Sequence, residues 1–397
     1  MTPASGPHEP ARAAGSRSGS DPIRLRETLR AIPAYVPGRA VQDAVRLASN
    51  ESPYPPLPFV VQRIAQVAAE ANRYPDTSCD ELRTALGQRF GWPAELIRVG
   101  CGSVSLCSQL AQAAAGPGDE IVFAWRSFEM YPIVAAVTGA TAVRVPLRDE
   151  VHDLKAMAAA VTDRTRVVFV CNPNNPTGTA VTKDDVHQLL LSIPSDVLVV
   201  VDEAYYEYVT DDRVSSALDF LDEFRNLVVL RTFSKAYGLA GLRVGYALVG
   251  GSDIAEALSK VQVPFTVTSV ASAAALASLE APAQQQMVER VKENARERAR
   301  VTERLNRFGY KCLPSHGNFI WLPLGSDTNR WTAHMESHGV AVRPFVDGAR
   351  VTVGSESEND RLLAAAGQFP SLPRSSALQT LKLLTAYPSP THQDLWA

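Results

Sequence analysis

Cysteine is scarce. The 397 residues hold five, Cys79, Cys101, Cys107, Cys171 and Cys312, and no two stand in a CxxC spacing. A sparse, odd count without such spacing fits reduced thiols in a cytoplasmic protein better than a disulfide framework. None lies at a zinc-like spacing from a histidine, so no metal is expected. Positive charge is not concentrated either. The formal net charge is −3, the pI is near 6.2 and no Lys/Arg-rich block occurs, which argues against nucleic acid as a partner. No apolar run reaches the length of a membrane span, and the amino terminus lacks the apolar core of a signal peptide.

What is present is a chain that is 46% hydrophobic and 20% charged, enough for a large core and two lobes. Residues 1–21 are Pro, Gly, Ser and Ala in the main and read as a disordered tail. Residues 22–49 read as an N-terminal arm that begins with a short helix. From about Val60, β-branched runs such as "EIVFA", "RVVFVC", "VLVVVD", "LVVLRT" and "RVGYALV" alternate with helical or turn segments. This is the pattern of an α/β doubly wound, mostly parallel sheet, and it predicts a large domain over 50–285. The stretch "MVERVKENARERARVTERLNRFGY" is apolar at helical intervals and predicts a long amphipathic helix closed by Gly309. With the short strands "NFIWLPL", "VAVRPF" and "ARVTVG" it forms a smaller α+β domain over 286–370, followed by an irregular tail over 371–397.

The chemistry concentrates at strand ends, where parallel sheets place ligands. Lys235 follows "LVVLRTFS". A lysine there is ordinarily a surface residue, but Thr232 and Ser234 add hydroxyls and a Gly-containing loop returns Arg243. Hydroxyls and a guanidinium make a phosphate grip, and a lysine desolvated beside a cation condenses with carbonyls. Asp202 ends "VLVVVD". It is either the N-cap of the next helix or the partner of a protonated ring nitrogen. Tyr205 is either core or a hydroxyl donor to a cofactor oxygen. Asn175, in "CNPNNPTG", is either a turn residue or a ligand of both cofactor and substrate carboxylate. The turn "GCGSVSL" offers the backbone of Ser103 and Val104 at a helix start. Phe128, in "WRSFEMYP", is either core or a stacking surface for a flat ring.

Together, "LASNESPY", "NRYPD", "CNPNNPTG", "VDEAY" and "RTFSKAYGLAGLRVGY" resemble, in content and order, the fold-type I aminotransferases that use pyridoxal 5'-phosphate, and within them the histidinol-phosphate aminotransferase family. The resemblance implies that Lys235 bears the cofactor and then moves the substrate's α-proton, that Asp202 holds the pyridine nitrogen, and that Tyr205 and Asn175 hold the phenolic oxygen. It implies a phosphate site of Ser103, Val104, Thr232, Ser234 and Arg243. Tyr54 would reach the neighbouring subunit's phosphate in a homodimer. Arg350 would take the substrate α-carboxylate, with Asn175 beside it, and Arg343 and Tyr35 would line the side-chain pocket.

Where the family's phosphate loop usually carries an acidic residue or Asn followed by Glu, this chain has Val104 and Ser105. That form, with "WRSFEMYP" and the apolar Phe265 in "VPFTVTS", resembles the aromatic-amino-acid (phenylalanine) branch. The expected reaction is transamination between an aromatic L-amino acid and a 2-oxo acid, with glutamate and 2-oxoglutarate as the second couple. Histidinol-phosphate transamination is the alternative, because Arg343 and Tyr35 are retained. Decarboxylation on the same site would leave similar motifs. A DNA-binding regulator built on this fold would need a module larger than the roughly 20 residues ahead of it.

Overall fold

In the computed structural model, residues 26–30, 32 and 44–370 are described. The expected tails over 1–21 and 371–397, most of the arm, and Tyr35 lie outside them. Among the described residues, eleven strands form two sheets. They are β1 (Val45–Leu47), β2 (Ile97–Gly100), β3 (Glu120–Trp125), β4 (Thr141–Pro146), β5 (Thr165–Cys171), β6 (Leu198–Asp202), β7 (Leu227–Thr232), β8 (Gly245–Val249), β9 (Phe319–Leu322), β10 (Val340–Pro344) and β11 (Ala349–Thr352).

The large sheet runs β2-β8-β7-β6-β5-β3-β4. β8 is antiparallel to both neighbours, while β4, β3, β5, β6 and β7 pair in parallel. Helices cover both faces, so the central strands are apolar throughout. In β6, Val199 and Val201 join the core on one side and Val200 the core on the other. This two-sided burial is why the sequence shows continuous Val runs instead of alternation. The chain steps from β3 outward to β4, then returns to place β5 on the other side of β3. The carboxyl ends of β3, β5, β6 and β7 therefore border the crevice where winding reverses.

The small sheet runs β1-β10-β11-β9, with β1 parallel to β10 and the other pairs antiparallel. Strand β1 falls at the end of the expected N-terminal arm and pairs with β10. Val45 and Leu47 are buried in the small sheet's core with Ile320, Trp331 and Val351, so this segment belongs to the second sheet although some 270 residues separate it from the next strand there. A three-residue strand carries too little pattern to be read beforehand. The long helix spans Ala281–Arg307, and Gly309 follows it at φ 95°. Among the described residues no helix is long and apolar enough to cross a membrane.

Candidate active site

A cavity of about 240 Å³ opens at the strand ends, lined by Ser103, Val104, Phe128, Asn175, Asp202, Tyr205, Thr232, Ser234, Lys235 and Arg243, together with Ser49, Glu51, Cys171, Ala204 and Ala240. Topology explains the gathering. Phe128 follows β3, Asn175 follows β5, Asp202 ends β6 and Thr232 ends β7.

Asp202 is buried. Tyr131 donates its hydroxyl to Oδ2 at 3.2 Å and the Ala204 N–H donates to Oδ1 at 3.2 Å. Desolvation pushes its pKa up to about 6 in spite of these bonds. Asp202 forms no ion pair with the described residues, and a cation reaching it from the cavity would offset the cost of its burial. Lys235 faces the cavity and donates Nζ to the Ser49 carbonyl at 3.2 Å. Burial first, then the nearby Arg350 and Arg243 charges, lower its pKa to about 7. Part of its amine is therefore a free nucleophile at neutral pH.

The floor is an anion cradle. The helix Gly102–Ala114 starts here with no side-chain cap, leaving its first N–H groups available. Thr232 Oγ1 lies 3.0 Å from Ser234 Oγ, and Arg243 Nη1 donates to Ser234 Oγ at 3.3 Å. Gly102 has φ 74°, and a Cβ there would collide with the Arg243 guanidinium. The glycine is required so that the guanidinium can close over the helix start.

Behind Asn175 stands Arg350 on β11. It donates Nη1 to the Asn175 side-chain oxygen and Nη2 to the Ala48 carbonyl at 2.7 Å. Three consecutive residues thus touch three functional groups: Ala48 meets Arg350, Ser49 meets Lys235 and Asn50 meets Tyr205. Asn50 donates Nδ2 to the Tyr205 hydroxyl at 3.0 Å and accepts from Thr352 Oγ1 at 3.1 Å.

Tyr54, Arg343 and Phe265 are not among the residues lining this cavity. Tyr54 does not line its own chain's cavity; its ring lies 5.2 Å from the Arg290 guanidinium carbon. Arg343 is engaged by Glu129, with Nη2 at 3.0 and 3.2 Å from the two carboxylate oxygens. Phe265 is exposed on the single chain and stacks on Tyr74 with centroids 4.5 Å apart, at a φ of 58°. Tyr131, Asn50 and Glu129 are not apparent from sequence. Tyr131 sits in an apolar helix and reads as core, and its ring does stack on Phe169 at 4.7 Å. Asn50 lies inside "LASNESPY", but nothing local shows that it joins residues 155 and 302 positions away.

A family model described as aminotransferase class I and II matches residues 42–365. The chain belongs to the class I and II aminotransferases. Among similar proteins, an aromatic amino acid aminotransferase of Mycobacteroides abscessus is 52% identical over 343 residues, covering 86% of this chain and 98% of the relative. One of Thermobifida fusca, with the same name, is 51% identical over 354 residues, covering 88% and 98%. Among solved structures, the histidinol-phosphate aminotransferase from Sinorhizobium meliloti in complex with pyridoxal-5'-phosphate matches with TM-score 0.81 and 30% identity, over 88% of this chain and 98% of that one. This aminotransferase thus shares its fold with one named activity and far more of its sequence with another.

Proposed function

We propose that this aminotransferase exchanges the amino group of an aromatic L-amino acid with a 2-oxo acid, using pyridoxal 5'-phosphate. The observation that carries the reading is the pairing of an uncompensated buried Asp202 with a deprotonatable Lys235 above an anion cradle. A cationic ring nitrogen, a carbonyl and a phosphate are the three groups these residues await. When bound, the cofactor supplies a carbonyl that condenses with amines and a ring that accepts electrons.

The residues divide the work. Ser103, Val104, Thr232, Ser234 and Arg243 hold the phosphate. Asp202 keeps a proton on the pyridine nitrogen, and its own bonds from Tyr131 and Ala204 fix its carboxylate plane. Tyr205 and Asn175 hold the phenolic oxygen, and Phe128 offers a π-face. Lys235 would hold the cofactor's carbonyl carbon and, as a general acid–base group, would carry the substrate's α-proton between Cα and the cofactor's C4′ carbon. Arg350 takes the α-carboxylate. Tyr54, outside its own cavity, serves the partner's phosphate in a homodimer. The apolar groove along Ala281–Arg307, with Val288 and Val291 in its lining, offers surface for that contact. The enzyme would act in the cytoplasm, where its thiols stay reduced.

The aromatic substrate class is supported by two observations. The relatives that share about half their residues with this chain carry that name. Arg343, the cation that a phosphorylated side chain would need, is already neutralised by Glu129. The deciding experiment compares phenylpyruvate with imidazole-acetol phosphate, each with glutamate. Higher kcat/KM with phenylpyruvate is expected, and preference for the phosphorylated acid would replace this reading with the histidinol-phosphate one.

A further inference from the structure

Arg343 and Arg350 are directly opposite across the antiparallel pair β10–β11, so both side chains leave the same face of the small sheet. Like charges so placed repel one another. Arg350 is directed to Asn175 and Ala48, and Arg343 is covered by both oxygens of Glu129. Glu129 comes from the other sheet, immediately after the cavity residue Phe128. A second ion pair of opposite sense, Arg126 to Asp347 at 3.0 Å, joins the same two loops. Phe345 lies between them, its ring 5.6 Å from the guanidinium carbon of Arg126 and 5.9 Å from those of Arg343 and Arg350. The Glu129 and Arg343 side chains are only 18% and 15% exposed, so water screens their charges poorly.

We propose that Glu129 is a specificity-determining residue. As the counter-ion of Arg343 it makes this wall of the substrate site electrically neutral, so an uncharged aromatic side chain is accepted and a dianionic phosphate is refused. A phosphate entering here must either lie against a carboxylate or expel it, and the exchange leaves an excess negative charge on a half-buried guanidinium. A side chain ending in a single carboxylate replaces Glu129 charge for charge, which lets the same wall serve glutamate. The inference rests on the aromatic transaminase reading, whose substrate class it explains.

The test uses the holoenzyme and Glu129→Gln, which keeps the shape and removes the charge. Dissociation constants are measured for 3-phenylpropionate and 4-phosphonobutyrate, which share a carboxylate and differ in a neutral ring against a phosphonate. The ratio of the two constants is expected to move about ten-fold toward the phosphonate. The shift should vanish in Glu129→Gln/Arg343→Gln. An unchanged ratio in Glu129→Gln, or a shift that persists without Arg343, overturns the proposal. Glu129→Ala serves as the second variant should the Gln protein fold poorly. Because binding rather than turnover is read, the result stands apart from the keto-acid comparison: failure of wild-type aromatic transamination would refute the function, not the role of Glu129.

Discussion

The wall that carries Asp202 and Lys235 lines the cavity, and the β10–β11 face that carries Arg343 and Arg350 stands behind it, touching the lining through Asn175; the two are built differently. The first is made of the ends of adjacent parallel strands. Its groups are fixed by the sheet's own hydrogen bonds, and its side chains are left chemically unfinished: a carboxylate without a cation and an amine near neutrality. The second is made of contacts between segments far apart in the chain. Two of its guanidinium groups are already paired, Arg343 with Glu129 and Arg126 with Asp347, and Arg350 is held by the neutral oxygens of Asn175 and Ala48. The unfinished wall accepts one invariant ligand. The finished wall must be persuaded to exchange partners, and so can choose among ligands. Chemistry is placed at the ends of paired parallel strands, and selectivity where segments distant in the chain meet.

That contrast makes distinct variants fail in distinct ways. Lys235→Ala should abolish turnover with every substrate, by roughly 10⁴-fold, the upper range for loss of a positioned acid–base group. Stopped-flow and steady-state rates with both aromatic and dicarboxylic partners check it, and residual activity with either would break the division of labour. Asp202→Asn should lower kcat with all substrates by about 10²–10³-fold, as when a preorganised electrostatic partner is removed. The same change should stabilise the cofactor-free protein. The folded-state pKa of Asp202 is raised above the ordinary 3.8 to about 6, so the folded state binds more protons between those values and stability falls as pH rises through that window. Above it the ionised carboxylate is a cost that Asn removes. A higher Tm for the apo variant at pH 7.5, and a smaller difference at pH 4, are expected by calorimetry.

Smaller effects sharpen the picture. Gly102→Ala should weaken cofactor affinity by about ten-fold through the strained φ and the collision with Arg243, with little change in the ratio of aromatic to dicarboxylic substrates. Equilibrium dialysis of the cofactor measures the first and initial rates the second. Finally, the rate at which apoprotein takes up pyridoxal phosphate should rise as pH passes about 7 and then level off, because the Lys235 amine loses its proton there. A rise that continued beyond pH 9 would mean that the lysine is not desolvated as the cavity implies.

The same contrast explains which features are legible in the sequence alone. Asp202, Thr232, Ser234 and Lys235 each follow an apolar run rich in Val, so the strand ends and the groups upon them are visible together. The antiparallel β8 and the three- and four-residue strands β1 and β2 are not, because short strands lack a period and pairing direction leaves no trace in composition. Arg343 is visible as a cation but its neutralisation is not. Glu129 lies 214 residues away, and a carboxylate after an aromatic residue reads as ordinary helix-start chemistry. Tyr131 is hidden for a related reason: its ring is core, and only the hydroxyl is functional.

The scarce thiols offer a clock. Cys107 and Cys171 lie fully buried beside Asp202, and burial, with the neighbouring carboxylate, holds both thiols far from ionisation, Cys171 at about 12. A buried, protonated thiol does not react with alkylating agents. Cys171 borders the cavity, whereas Cys107 lies behind it, so labelling of Cys107 counts the moments at which the strands part and admit solvent. Its labelling rate, with and without cofactor, times the breathing of the catalytic wall without any enzyme assay.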